Sequence, residues 1–462
     1  MSKEPIGIIG AGWVGLVTAA GFARLGHEVC VRDLNEARIS ALSEGHVEIY
    51  EPQLTDLLEE HRQRIDYTVD LHRLLARARV VFVCVGTPST ASGDADLSAV
   101  WQLLDELPQL DRRTVLVMKS TVPVGTGAKV RRELDLRGLT QIGYVSNPEF
   151  LAEGTAIDNF LAPDRVVVGS YDRVDGDRVA SLYDFTEVPV VRTEVASAEL
   201  AKYASNAFLA MKISFINEIA NVCEGTGADV VDIAQAMGLD HRIGRDFLRA
   251  GIGYGGSCFG KDLRALKQVA VDTGYHFQLV NAVLEVNEVQ RRRVVNKLAR
   301  HLGSLHGRRV ALLGLAFKPN TNDLRDAPSL ALASRLLVEG AEVRAWDPVC
   351  LPEARMLLPE AKLVKTIKRA VTGADAAVIV TEWAHLRDFA SPAIRRVMRN
   401  PLIIDARNML EPHAVLAAGF RYEAVGRPHG QADVFELPLE PRADVVTQER
   451  AARVRARAAV AR

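Results

Sequence analysis

The sequence predicts an α/β protein: two Rossmann-like doubly wound domains joined by a helical middle domain with a long central helix. A strand, glycine turn, helix, strand pattern occurs twice, opening at Ile6 and again at Arg309. Between the copies, from Ala196 to Arg300, the texture changes to Ala, Leu, Lys and Glu at helical spacing with almost no strand signal. At about 100 to 200 residues per domain, the 462 residues give two to four domains.

Composition narrows the class. With 48% hydrophobic and 25% charged residues the chain resembles ordinary cored, soluble proteins rather than a disordered or rod-like one. Lys+Arg 57 against Asp+Glu 58 leaves a net charge of −1, without the basic footprint of a dedicated nucleic-acid binder. Cys30, Cys84, Cys223, Cys258 and Cys350 are odd in number and form no CxxC pair, so neither a disulfide framework nor a zinc site is expected, and a reduced, cytoplasmic setting is. Pro5 to Ala23 is free of charge, which imitates a membrane span. Five glycines punctuate it, and it reads instead as strand, turn and helix.

In chain order, Ile6 to Ile9 is a strand, Gly10 to Gly15 a turn into an Ala-rich helix, and Glu28 to Asp33 the second strand of a βαβ unit. Buried parallel strands follow at Val80 to Val85, Val115 to Val117 and Ile142 to Val145, so the first domain is placed at 1–195. The middle domain, 196–304, opens with a helix from about Ser197 to Glu224, long enough to bridge two lobes and carry a subunit interface. The third, 305–445, repeats the βαβ opening: Gly10 to Asp33 spans 23 positions and Gly314 to Asp347 spans 33. The insertion Lys318 to Arg325 stands where the first copy has its tight turn, which suggests a rebuilt copy for a different ligand. Residues 446–462, rich in Ala and Arg, read as a frayed tail.

Three places carry chemistry. Gly10, Gly12 and Gly15 match GxGxxG in its βαβ context, with Asp33 about 20 residues on to accept from a ribose diol and repel a 2′-phosphate. The expected cofactor is NAD rather than NADP, a preference softened by Arg32 and Arg38. The alternative, a glycine turn used only for packing, is the weaker reading in that context.

In Gly251 to Asp262 a glycine-dense loop delivers Ser257 as N-cap and Cys258 into the first turn of a helix, where backbone N–H groups and Lys261 favour the thiolate. Asp262 follows at i+4 on the same face. The other cysteines read as buried and inert, with Cys350 incidental. On the long helix Lys202 and Asn206 are also i and i+4, with Asn217 near that face; without the cysteine loop they would read as a solvated face. Thr121, in Ser120 to Thr126, and Glu149 and Glu153, in Asn147 to Gly154, follow strand carboxyl ends, where open α/β sheets bind ligands. They either handle water or serve as ordinary capping and first-turn residues.

The ordered motifs GIIGAGWVGL, STVPVGT, NPEFLAEGTAI, ASNAFLAMKISFINE, GYGGSCFGKD and FKPNTNDLRDAPS resemble the UDP-glucose/GDP-mannose dehydrogenase family of nucleotide-sugar 6-dehydrogenases, over about residues 5–430. The resemblance implies oxidation of a sugar CH2OH to carboxylate in two hydride transfers to NAD, through a cysteine thiohemiacetal and thioester. It implies Cys258 as nucleophile, Lys202, Asn206 and Asp262 as managers of oxyanion and protons, and Thr121, Glu153 and Glu149 as the water-handling set. NAD would meet Gly10, Gly12, Trp13, Val14, Gly15, Asp33, Arg38, Gly86, Thr87, Thr121, Glu153 and Arg325. Substrate would meet Glu149, Phe150, Leu151, Lys202, Asn206, Phe247, Leu248, Arg249, Tyr254, Gly255, Lys318 and Arg407, the last from a motif that aligns in more than one way. Arg242 would reach a neighbouring subunit's substrate in a homodimer or larger homo-oligomer.

Gly260 stands where many members have Pro, which is expected to loosen the loop. Phe259 and Thr381-Glu382-Trp383 lean the substrate toward UDP-glucose, with GDP-mannose and UDP-N-acetylhexosamines as the family's alternatives. Two rivals stand outside that reading: a two-electron dehydrogenase of 3-hydroxyacyl or phosphogluconate type, and a non-catalytic NAD sensor with Cys258 as redox switch. The first needs neither the cysteine loop nor a second βαβ domain.

Overall fold

The computed structural model describes residues 3–90 and 93–428, so the tail at 446–462 lies outside the described residues. The chain divides into two compact units within the long helix, the first running to Tyr203 and the second starting at Ala204.

The first unit is built on eight strands: β1 (Ile6–Ile9), β2 (Val29–Arg32), β3 (Ile65–Thr68), β4 (Val80–Val83), β5 (Thr114–Met118), β6 (Ile142–Ser146), β7 (Val166–Ser170) and β8 (Val190–Thr193). Their order is β3-β2-β1-β4-β5-β6-β7-β8, parallel throughout except where β7 runs antiparallel to β6. Strand order reverses between β1 and β4, and the crevice beyond those two carboxyl ends is where such sheets bind nucleotides. The charge-free opening folds as read, into β1 and the helix Trp13–Arg24, which is buried from Gly15 to Ala23 and half-buried only at its start. A helix enclosed on nearly every side has little room for large side chains, hence its Ala and Gly.

The second unit holds six further strands: β9 (Arg309–Leu313), β10 (Glu342–Trp346), β11 (Lys362–Leu363), β12 (Ala376–Ile379), β13 (Leu402–Asp405) and β14 (Arg421–Ala424). The order β11-β10-β9-β12-β13-β14 is the doubly wound pattern again, all parallel. The long helix spans Val195–Thr226, two residues beyond the sequence expectation at each end. Helices Val230–Gly238, Phe259–Asp272 and Gln278–Leu302 complete the helical region. Val294, Leu298 and Leu302 of the last join the core of the second sheet. No helix among the described residues is long and apolar enough to cross a membrane.

Candidate active site

The first glycine turn performs three separate tasks. Gly10 has φ +102, and a Cβ there would meet the Cys84 carbonyl at 2.7 Å; a Cβ on Gly15 would sit 1.9 Å from the Gly10 carbonyl, so neither tolerates a side chain. Around Gly12 nothing lies within 4 Å of an added Cβ. The turn is tight behind and open in front, which fits a pyrophosphate laid against the helix N-terminus. Asp33 holds the turn from below, accepting the Ala11 N–H at 2.7 Å and the Asn35 N–H at 2.9 Å, and stays half-buried. Arg38 approaches it at 3.5 Å, whereas Arg32 is buried against Glu106 at 2.6 Å and donates to the Val69 carbonyl. Of the two arginines expected to soften the NAD preference, only Arg38 is placed to do so.

Beside β1, the chain leaving β4 passes Gly86, open around its Cα, and Thr87, whose hydroxyl donates to the Thr121 carbonyl at 2.8 Å. This joins two strand-end loops of the expected cofactor set. The Thr121 loop is gripped in turn by Glu199, whose carboxylate accepts the Gly125 and Gly127 N–H groups at 2.7 Å each. Burial without a cation pushes that carboxyl up to about 7.

Glu149 and Lys202, 6% and 4% exposed, form an ion pair at 2.7 Å. The second Glu149 oxygen accepts from Leu151 N–H at 2.6 Å. Phe150 lies under Arg165, 3.5 Å from its guanidinium carbon, and 5.6 Å from Lys202 Nζ. Glu153 sits half-buried in the turn that follows. The first unit therefore brings together Thr87 with Thr121, and Glu149, Phe150 and Leu151 with Lys202.

In the second unit the cysteine loop is threaded among supports on several sides. Asn217, expected on the Lys202 face, instead accepts the Gly251 N–H at 2.8 Å, while Gln290 donates to the Gly251 carbonyl at 2.9 Å. Asn287 bonds both the N–H and the carbonyl of Tyr254. Gly253 and Gly256 have φ +102 and +87, and a Cβ on either would strike Asn287 or the Phe317 ring. Arg407 donates to the carbonyls of Val380, Gly253 and Phe317 at 2.7, 3.1 and 3.0 Å. These bonds make it a bolt for the loop, whatever else it meets. Asn287 and Gln290 were passed over in the sequence, although two amides at i, i+3 on a face shared with Val280, Val283 and Val294 are a usable signal.

The loop ends at Cys258, and the helix begins one residue later than expected. Cys258, not Ser257, is the N-cap: its carbonyl takes the first intrahelical bond, from Asp262 N–H at 2.8 Å, and Ser257 Oγ lies 3.5 Å from the sulfur. Of the five cysteines it is the exposed one; the others are buried. Burial pushes the thiols of Cys30 and Cys84 up to about 11 and about 12, and that of Cys350 higher still. Asp262 is 1% exposed, holding Asn206 Nδ2 at 2.6 Å on one oxygen and Lys261 Nζ at 2.7 Å on the other. The Lys261 charge is thus directed to Asp262. Space at Gly260 is limited: a Cβ there would sit 2.8 Å from an Asp326 carboxylate oxygen, and Asp326 is itself held by Arg291.

The expected cradle residues vary. Leu248 and Tyr254 are buried, with the Tyr254 ring edge-on to Phe259 at 5.6 Å; Phe247 sits at φ 64, and it and Arg249 are exposed. Gly255 is buried, and its Cβ would meet the Asp326 carbonyl. Lys318 is half-buried by Phe317. Arg242 and Arg325 are exposed and forked onto Asp240 and Asp323. The segment read as leaning to UDP-glucose is internal: Thr381 Oγ1 donates to the Ala316 carbonyl at 2.5 Å and Trp383 Nε1 to Asp347 at 3.0 Å.

A dinucleotide turn on one sheet, a second sheet of the same winding and an exposed helix-capping cysteine define a nucleotide-dependent dehydrogenase with a candidate nucleophile. Three family descriptions match in order: UDP-glucose/GDP-mannose dehydrogenase family NAD binding domain (residues 4–187), central domain (196–289) and UDP binding domain (311–412). UDP-glucose 6-dehydrogenase TuaD of Bacillus subtilis is 43% identical over 431 residues, 92% of this chain and 94% of that one. UDP-glucose 6-dehydrogenase of Pseudomonas aeruginosa is 44% identical over 443 residues, 91% and 97% of the two chains. A UDP-glucose dehydrogenase structure from Pyrobaculum islandicum superposes with TM-score 0.85 at 35% identity, covering 92% of this chain and 98% of that one. The chain belongs to the UDP-glucose/GDP-mannose dehydrogenase family, and NAD is its cofactor.

Proposed function

We propose that the protein oxidises UDP-glucose to UDP-glucuronate in four electrons, with Cys258 as covalent nucleophile. The observation that carries this reading is an exposed thiol at a helix N-terminus, four residues before a buried carboxylate held by an amide and an ammonium. NAD accepts one hydride at each oxidation. Gly12, Trp13 and Val14 are the open positions that would hold its pyrophosphate, with Asp33 for its ribose and Gly86, Thr87 and Arg325 as further contacts.

The chain's own groups then divide the work. As the C6 alcohol becomes an aldehyde its proton is lost, and the Cys258 sulfur adds to the carbonyl carbon to give a thiohemiacetal. Lys202 and Asn206 stabilise the oxyanion, and Asp262 manages its proton. The second oxidation leaves a thioester. Water positioned by Thr121 and Glu153, with Glu149 as alternative carboxylate, cleaves the C–S bond, giving carboxylate and returning the thiol. Glu149 also fixes Lys202 through their ion pair.

Domain limits at 1–195, 196–304 and 305–445, and a cytoplasmic setting, belong to the same reading. So does a homodimer: Phe208, Phe215 and Val222 are 58%, 47% and 59% exposed at near-heptad spacing along the long helix, an apolar stripe suited to a second copy. Sedimentation of the purified protein tests that part. Turnover tests the chemistry: each UDP-glucose consumed should yield two NADH and no free aldehyde. A ratio of one with released aldehyde overturns the covalent mechanism, and faster turnover of GDP-mannose or a UDP-N-acetylhexosamine overturns the choice of sugar.

A further inference from the structure

Glu51 stands in Tyr50-Glu51-Pro52, a stretch with no motif character, yet it is only 5% exposed and both of its carboxylate oxygens are engaged. Oε2 accepts the Trp13 indole N–H at 2.9 Å and the Gly154 backbone N–H at 2.7 Å. Oε1 accepts the Ala156 N–H at 2.8 Å. Trp13 is the first residue of the helix that follows the glycine turn, and Gly154 and Ala156 close the loop carrying Glu153.

Two further observations set this residue apart from an ordinary cap. Gln53, two residues on, holds φ 68, a left-handed conformation unfavourable for a residue with a side chain, and its amide donates to Asp158 Oδ1 at 3.3 Å, on the helix that the loop enters. The segment is thus held in a strained form by two anchors on the Glu153 side. In addition, the Trp13 and Gly154 donors share one oxygen, so a tilt of the indole shifts the acceptor on which Gly154 depends.

We propose that Glu51 is a positioning residue that ties the cofactor turn at Trp13 to the loop bearing Glu153, so that filling of the nucleotide site sets the geometry for thioester hydrolysis. The proposal rests on the function proposed above, and its consequence is asymmetric. Hydride transfer needs this loop for its contacts with cofactor and for the Glu149 grip on Lys202; hydrolysis needs, in addition, the Glu153 carboxylate set on the attacking water, and so is the more sensitive step.

Glu51→Gln keeps the shape and places an NH2 where an N–H donor points. In rapid mixing with NAD and UDP-glucose, this variant should release its NADH burst of two per active site within about threefold of the parent rate. Steady-state turnover should then fall at least about tenfold, with a glucuronyl adduct on Cys258 by intact-protein mass. Glu51→Asp, which keeps the charge and draws the carboxylate back by one methylene from the Trp13, Gly154 and Ala156 donors, should show the same split more weakly, and it carries the test if thermal unfolding shows that Glu51→Gln is not folded. Burst and steady state falling together, or neither falling, overturns the proposal. A parent protein that forms no NADH with UDP-glucose overturns the function itself, so the two failures are distinguishable.

Discussion

After β1 the chain turns at Gly10, leaves Gly12 open, and is held by Asp33, a half-buried carboxylate with two backbone donors. After β9 it turns at Gly314, φ +91, and is held by Asp347, which is 1% exposed and has five donors: the N–H groups of Leu315, Ala316, Val349 and Cys350 and the indole of Trp383. Both aspartates occupy the end of the second strand and bind the backbone of the glycine turn. What separates them is unused acceptor capacity. A carboxylate has about four lone-pair sites, so Asp33 retains room for a ribose diol while Asp347 is saturated. The first helix starts at Trp13, directly after its turn; the second starts at Pro328, after the inserted segment, whose flanking residues Phe317 and Asp326 meet the cysteine loop. One copy of the repeat is kept open for a cofactor. The other is sealed and supports a nucleophile.

The largest effect should follow from removing that nucleophile. Cys258→Ser should lower steady-state NADH formation by about a thousandfold or more while UDP-glucose still binds in calorimetry, because the hydroxyl is not a nucleophile at neutral pH. Near-normal turnover would leave the first sheet sufficient for the chemistry and break the division of labour.

The aspartates themselves give the next contrast. Asp347→Ala strands five buried donors and should cost about 3 kcal/mol or more in denaturant unfolding, with the KM for NAD unchanged. Asp33→Ala should cost much less stability, yet raise the KM for NAD about tenfold or more and narrow the preference over NADP, since it removes both an acceptor for the diol and a repulsion of the 2′-phosphate. Swapped outcomes would assign the cofactor to the other sheet.

How much of this was readable in advance depends on range. The doubly wound winding, the long helix and the two glycine turns were legible because each is written in local spacing. The antiparallel β6–β7 pair was not, since pairing direction leaves no local mark. Cys258 was legible from its glycine-dense loop; that Asn287, Gln290 and Arg407 brace this loop was not, because the residues they bond lie far along the chain, even though the two amides mark a polar spot on an apolar helix face. The structural part of Trp383 was not legible either, since nothing local reveals that its indole closes on Asp347. The approach of Gly260 to Asp326 was not legible because the two are distant in sequence.

A second pair, buried glutamates this time, extends the contrast to pH. Glu199, 2% exposed, is held by two backbone N–H groups, and desolvation carries it to about 7. Glu423, 1% exposed, feels the same desolvation, but Lys297, Arg300 and His301 outweigh it and hold its carboxyl below the ordinary range. The signs are therefore opposite. The native state of Glu199 binds a proton more tightly than the unfolded chain, so its contribution is full below the unfolded pKa and is lost as pH rises through about 7. Relative to Glu199→Gln, the parent should lose about 1 kcal/mol of stability between pH 6 and 8. Glu423 contributes above its unfolded pKa and loses that contribution as pH falls. Against Glu423→Gln, the parent should weaken as pH falls into the acid range, the opposite direction to Glu199. Denaturant midpoints of the three proteins across pH check both signs. Parallel curves for parent and Glu199→Gln would show that the two N–H bonds to Gly125 and Gly127 hold the carboxylate ionised after all, and the distinction between a glutamate with cations and one without would fail.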